Sequence, residues 1–125
     1  MMLLTSISRA TAEHYSWGKN CEGWHLVKDA ALSVIEEQMP PSSSEVLHSH
    51  RSAQQFFFML SGEVTMEVEH DEVQLQAGEG LHIPPQVRHR ICNRSQESAR
   101  FLVISQPPSH GDRVVEEPGS GSSCF

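Results

Sequence analysis

The chain is poor in positive charge and in cysteine. Its 125 residues include 9 lysines and arginines against 16 aspartates and glutamates, which gives a formal net charge of −7. Nucleic acids and anionic membranes are bound through basic patches, so we expect neither as a partner. Cys21, Cys92 and Cys124 are odd in number and widely spaced, without a Cys-x-x-Cys pair. We therefore expect free thiols rather than a disulfide framework or a structural zinc site.

Long hydrophobic runs are also missing. The apolar start at residues 1–4 ends at Thr5, far short of a signal peptide core or a membrane-spanning helix, so we expect a cytoplasmic protein. The chain has no Gly-x-Ser-x-Gly, phosphate-binding loop or dinucleotide-binding glycine pattern. Covalent serine catalysis and nucleotide-fold chemistry therefore have no support in the sequence.

What the chain does contain is a series of short strand patterns separated by turn residues. No amphipathic helix pattern of useful length occurs, which favours an all-β barrel or sandwich over an α/β fold. The predicted strands are Trp24 to Lys28, Ala31 to Met39, Gln55 to Leu60, Val64 to Val68, Val73 to Gln76, Leu81 to Ile83, Val87 to Cys92 and Arg100 to Ser105.

The length and the 38% of hydrophobic residues fit one compact domain. Residues 1–28 are predicted to form an N-terminal arm and a first strand that pack on the barrel, and residues 29–106 the barrel itself. Residues 107–125 hold Pro, Gly and Ser in excess. We expect this C-terminal tail to be partly mobile, above all at 119–123, and to contain no active-site residue.

Histidine spacing gives the main indication of chemistry. In a strand, His48 and His50 project from the same face, close enough to share a metal ion. Antiparallel pairing can bring Gln55 beside them, and His89 arrives from a later strand. Each histidine alone is more often a surface residue or a hydrogen-bonded core residue than a ligand. The pattern His48-x-His50-x4-Gln55-x6-Gly62, followed by Gly78-x5-Pro84-x4-His89-x3-Asn93, favours a shared site.

These two segments resemble the signature motifs of the cupin superfamily, which are G-x5-H-x-H-x3–4-E-x6-G and G-x5-P-x-G-x2-H-x3-N. The resemblance spans roughly residues 30–106. It implies an all-β, double-stranded β-helix (jelly-roll) barrel with a metal held by His48, His50, Gln55 and His89. The chain departs from the motifs at three positions: Ser42 and Gln86 replace glycines, and Gln55 replaces the usual glutamate.

The glutamine has a consequence for the metal. Three neutral imidazoles and an amide oxygen cancel none of the charge of a divalent ion, so the ion should be a stronger Lewis acid and a better host for an anion. Nitrogen and oxygen donors suit Mn, Fe, Zn, Ni, Co or Cu. On an octahedral ion, four protein ligands leave two positions open. Because Gln55 does not titrate, any proton transfer must come from another residue, bound hydroxide or the substrate.

The resulting functional hypothesis is a metal-dependent enzyme acting on a small anionic or polyhydroxy substrate chelated at the open positions. Mn or Zn would fit an isomerase acting on a sugar acid, and Fe, Ni or Cu would fit a dioxygenase. The alternative is a non-catalytic module that binds a small ligand or a metal. A titratable base within reach of the open positions would favour the enzyme.

The run Phe56-Phe57-Phe58 cannot point all its rings inward on a strand. Phe57 should share the Gln55 face and line the pocket, while its neighbours face outward beneath the N-terminal arm or a second subunit. A second subunit would make the protein a homodimer, and ordinary core packing between two sheets is the alternative. Further pocket candidates are Met59, His82 and Arg90, although a solvent-facing position is slightly favoured for His82 and an ordinary surface charge is favoured for Arg90.

Overall fold

The computed structural model describes residues 4–109, 111–116 and 124. The predicted mobile segment 119–123 lies outside this range. Within the described residues the strands are β1 Glu13–Trp17, β2 Cys21–Lys28, β3 Ser33–Met39, β4 Ser43–Ser44, β5 His48–His50, β6 Gln54–Ser61, β7 Glu63–Val68, β8 Asp71–Gln76, β9 Gly80–Ile83, β10 His89–Asn93, β11 Ala99–Gln106 and β12 Arg113–Val115.

The strands form two antiparallel sheets that enclose a common core. Sheet A has the order β1-β2-β3-β11-β6-β9, and sheet B has the order β12-β5-β10-β7-β8, with β4 also paired to β10. The predicted all-β, jelly-roll architecture is confirmed. No helix in the described part of the chain has the length and apolar character needed to cross a membrane. The fully buried side chains between the sheets include Met39, Met59, Met66, Ile91 and Phe101.

Alternation along the strands of sheet A separates an inner face from an outer face. In β11, Phe101 and Val103 are buried, and the residues between and beside them alternate with lower burial. In β6, Phe57 points inward as predicted and is 4% exposed. Phe56 and Phe58 stack on the outer face with ring centroids 6.3 Å apart, and Phe56 remains 38% exposed. The homodimer through this face stays a prediction.

Left-handed backbone conformations occur where the resemblance places glycines, even at the two substituted positions. Gly62 has φ +81°, and a Cβ there would lie 2.8 Å from the carbonyl oxygen of Ser98. Ser42 has φ 65° and Gln86 has φ 70°. Their amides donate to Asn93 and His50 carbonyls at 2.9 and 2.7 Å. Hydrogen bonding therefore holds the two turns in a conformation that glycine would adopt more easily.

The C-terminal segment differs from the predicted tail. Residues 113–115 form β12, which pairs with β5 in the register Arg113 to His50 and Val115 to His48. Just before β12, the Asp112 carboxylate accepts hydrogen bonds from three successive backbone amides, those of residues 51–53. The excess of Pro, Gly and Ser in this segment is typical of a mobile tail. Local composition carries no information about pairing with a strand so distant in the sequence, so β12 was not predicted.

The prediction that all three cysteines are free thiols is wrong. Cys92 and Cys124 form a disulfide with a Cα–Cα distance of 6.1 Å, and Cys21 is free and buried. Cys92 lies on the outward face of β10, and the carboxylate of Glu67 is 3.1 Å from the Cys124 sulfur. The two cysteines are 32 residues apart, a separation without a spacing signature, so only the fold brings them together.

Candidate metal centre

Three histidines meet at the inner face of sheet B. His48 and His50 alternate with Ser49 on β5, and His89 of β10 is paired directly with His48. The ring centroids are 5.0 Å apart for His48 and His50, 4.5 Å for His48 and His89, and 5.8 Å for His50 and His89. One ring nitrogen from each histidine lies within 4.8 Å of the others. This is the spacing expected of ligands around a single ion.

Gln55 reaches the same point from β6 in sheet A. Its amide oxygen lies 3.1 Å from Nε2 of His89, and its amide nitrogen donates to Oγ of Ser105 at 3.0 Å. Ser105 is the cross-strand neighbour of Gln55 on β11, so the hydroxyl fixes the orientation of the amide. The structure thus brings together all four residues that the spacing marked as metal ligands.

Local backbone geometry sets the tautomers of two of the histidines. Nδ1 of His48 donates to the carbonyl of Val46 at 2.8 Å, and Nδ1 of His89 donates to that of Val87 at 2.9 Å. Burial lowers the pKa of each ring to about 4, so both are neutral at pH 7 and carry one proton. With that proton on Nδ1, Nε2 presents a lone pair, which is the form that binds a metal.

The contact between His89 and Gln55 supplies a test of fit for a metal. Nε2 of His89 has no proton to give, yet it faces the amide oxygen of Gln55 at 3.1 Å. Two lone pairs at this distance repel each other, and a cation placed between them would satisfy both. Turning the amide over would also relieve the contact, but it would withdraw the oxygen. In the described residues, Nδ1 of His50 is buried without a hydrogen-bond partner.

The centre opens into a cavity of about 580 Å³, within the range of small-molecule sites. Ile35, Phe57 and Val103 form its apolar wall. Glu37 and Tyr15 also line the cavity, and the Tyr15 hydroxyl donates to Oε2 of Glu37 at 2.7 Å.

Two carboxyls in this cavity have pKa values raised to near neutral pH. Burial raises the pKa of Glu37 to about 8, opposed by the hydrogen bond from Tyr15 and reinforced by Glu45. Burial likewise raises the pKa of Glu45 to about 7, opposed by the charge of Arg113. Burial, followed by the charge of Glu37, raises the pKa of Tyr15. The cavity therefore places a protonated carboxylic acid in the same space as the metal-binding side chains at pH 7.

The predicted pocket residues separate into two groups. Phe57 lines the cavity. Met59 is fully buried in the core, one inward position further along β6. His82 lies on the outer face of sheet A and bonds to Gln54 at 2.9 Å. Arg90 follows His89, so alternation turns it outward, where it meets Glu67 at 3.2 Å. Neither Met59 nor these two residues border the cavity.

The cavity residues that were not predicted from the sequence include Tyr15, Glu37, Glu45 and Arg113. Glu37 had a detectable signal, because it stands between Ile35 and Met39 at the same parity as those inward-facing residues. The surrounding run Glu36-Glu37-Gln38 hides this alternation. Arg113 had no signal, because its position depends on the pairing of β12 with β5.

Comparison with known proteins agrees with this fold. The chain is 28% identical over 94 residues to the uncharacterized protein MJ1618 of Methanocaldococcus jannaschii, covering 74% of this chain and 75% of that one. It is 34% identical over 98 residues to the uncharacterized HTH-type transcriptional regulator YobQ of Bacillus subtilis, covering 77% of this chain but only 39% of the regulator. The polyketide cyclase RemF of Streptomyces resistomycificus superposes with a TM-score of 0.80 at 15% identity, covering 94% and 89% of the two chains. The model of the cupin domain matches residues 35–105, and the chain belongs to that family.

Proposed function

We propose that the protein is a metal-dependent enzyme that acts on a small anionic or polyhydroxy substrate. One observation carries the proposal: the histidine and glutamine cluster opens into the same cavity as Glu37, whose carboxyl is protonated near neutral pH. A module that only stores a metal has no need of a neutral acid beside it. General acid and base catalysis requires such a group, with a pKa near the working pH.

His48, His50, Gln55 and His89 would hold one divalent transition metal: Mn, Fe, Zn, Ni, Co or Cu. When bound, the ion would supply Lewis-acid polarisation of a substrate oxygen. None of the four ligands carries a negative charge. The site therefore keeps a net positive charge, which favours an anionic ligand.

The side chains around this position have separable tasks. Oε2 of Glu37 accepts the Tyr15 hydrogen bond, which leaves Oε1 to hold the proton. That proton can be given to a substrate oxygen, after which the carboxylate can accept one from a neighbouring carbon. Phe57 and Val103 exclude water from the wall of the cavity. A proton relay of this kind supports an isomerase or cyclase type of reaction, and the fold-level likeness to RemF is compatible with it.

A second candidate is a ligand-binding module without catalysis. The similarity to the YobQ regulator favours it, because the matched region is only part of that protein. The two candidates differ in what Glu37 does. A binder should retain its ligand when Glu37 becomes glutamine, and it should never turn the ligand over.

The test is elemental analysis of protein purified without chelator or affinity metal. We expect about one equivalent of a transition metal per chain. His48→Ala combined with His50→Ala should lose it, and His82→Ala is the matched control because His82 lies on the outer face. Less than a tenth of an equivalent in the wild type, or unchanged metal in the double variant, would overturn the assignment. Sugar acids and dicarboxylates are then screened, with and without dioxygen. Turnover that Glu37→Gln abolishes while metal content holds identifies the enzyme.

A further inference from the structure

The C-terminal strand is fastened to the strand that carries two of the histidines. Besides the β12 to β5 ladder, the amide of Glu116 donates to the Leu47 carbonyl at 2.9 Å. The Ser49 hydroxyl donates to the Glu116 carboxylate at 2.9 Å. At the other end of β12, the Asp112 carboxylate accepts a hydrogen bond from the amide of Ala53 at 2.8 Å. Hydrogen bonds on both sides therefore fix the position of the strand relative to the metal centre.

Within that strand Arg113 stands opposite His50 and lines the cavity. Its side chain is exposed, and no described residue forms a hydrogen bond or ion pair with its guanidinium. Burial dominates the raised pKa values of Glu37 and Glu45, and the charge of Arg113 opposes both shifts. The guanidinium is therefore near both carboxyls without being bound to either.

Electrostatics in the cavity leave this cation only partly neutralised, because the Glu45 carboxyl, with its pKa raised to about 7, is about half ionised at pH 7. At pH 7 the Glu37 carboxyl, with a pKa of about 8, is mostly protonated. A guanidinium in this state presents a planar fork of donors, which matches the two oxygens of a carboxylate. The metal-binding side chains open into the same cavity and include no anionic ligand. With a metal bound, the site would thus have two neighbouring positive groups beside an apolar wall.

We propose that Arg113 is the substrate-recognition residue and binds the carboxylate of a small hydroxy or oxo acid, whose other oxygen atoms point to the histidine and glutamine centre. This inference rests on the proposed function and adds the substrate class to it. The carboxylate lies on the guanidinium in a bidentate contact, and the apolar wall packs on the carbon chain. A lysine would retain the charge and lose the second hydrogen bond.

The experiment measures binding of malonate to the metal-loaded protein by calorimetry, with inorganic phosphate as a second probe. Arg113→Gln should weaken malonate binding about 10- to 100-fold, with unchanged metal content. Arg113→Lys should give an intermediate loss. Arg88→Gln is the matched control, because Arg88 directly precedes His89 in the chain but pairs with Glu69 at 3.0 Å, outside the cavity. It removes the same charge and should change the affinity less than about twofold.

Three results would overturn the proposal: malonate affinity unchanged in Arg113→Gln, an equal loss in Arg88→Gln, or phosphate binding tighter than malonate and lost with Arg113. The last result would transfer the site to phosphate. If the wild-type protein took up no metal, the proposed function would be refuted, but the proposal for Arg113 would not. In that case, malonate binding by the metal-free protein that still depends on Arg113 would uphold the recognition site.

Discussion

Replacing Glu37 by glutamine tests whether the cavity holds a neutral acid. Burial raises the pKa of this carboxyl from the ordinary 4.5 to about 8 in the folded protein. Between these values the folded protein keeps a proton that the unfolded chain has released. The contribution of the Glu37 carboxyl to the free energy of unfolding is therefore complete below pH 4.5 and is lost as the pH rises towards 8. Glutamine can still accept the Tyr15 hydrogen bond and has no proton to lose.

The size of the effect follows from the pKa shift. One pKa unit corresponds to about 1.4 kcal/mol. Glu45, with its pKa raised to about 7, shares the cavity, so the two carboxyls titrate as a pair and divide the effect. After this discount, we expect the stability of Glu37→Gln relative to wild type to rise by about 1 kcal/mol or more between about pH 5 and pH 7.

Urea unfolding, followed by tryptophan fluorescence across this pH range, measures the difference. Glu13→Gln is the matched control, because Glu13 also lines the cavity but forms an exposed ion pair with Lys28 at 3.1 Å. The control should show a difference from wild type that does not grow with pH. A difference for Glu37→Gln that is equally flat would refute the reasoning.

Three further predictions concern the fold. Gly62→Ala should lower the free energy of unfolding by about 2–4 kcal/mol, because Gly62 has a left-handed backbone and close neighbours. Gly78→Ala should lower it by only about 1 kcal/mol, because Gly78 has open space around it. Thermal unfolding measures both values, and equal losses would contradict the packing argument. Phe101→Ala should lower the free energy of unfolding measured in urea by about 3–5 kcal/mol, because Phe101 is fully buried. Phe56→Ala should lower it by less than half of that, because Phe56 is partly exposed. Protein unfolded without reductant should show the single thiol of Cys21 to a thiol reagent, and reaction of all three cysteines would exclude the disulfide.

Much of the barrel and the pairing of His48 with His50 on one face follow from local periodicity, whereas His89 was assigned from its motif. The two-residue repeat of a strand places His48 with His50 and separates Phe57 from its neighbours, and both results need only the sequence around them. Gln55 is placed correctly for the same reason, because it shares the face of Phe57. Each prediction concerns which side of a strand a residue occupies.

The rest depends on pairings between distant segments. Glu37 reaches the cavity beside Tyr15 because β3 pairs with β2 and β2 with β1. The position of Arg113 depends on β12 joining β5. Cys124 meets Cys92 although no local sequence pattern links them. Met59 shows the same limit within a single strand. It does lie on the inward face of β6, as predicted, but it is buried in the core against the opposite sheet and does not line the cavity.

The attachment of β12 at the edge of its sheet has a consequence for how such a protein could change. The hydrogen bonds between β12 and β5 set which residue stands opposite His50, and in the present register that residue is Arg113. A shift of this register would place a different side chain beside a bound molecule, while the pairing of the other strands would be unchanged. Selectivity would thus change through the position of one edge strand and not through the wall of the cavity.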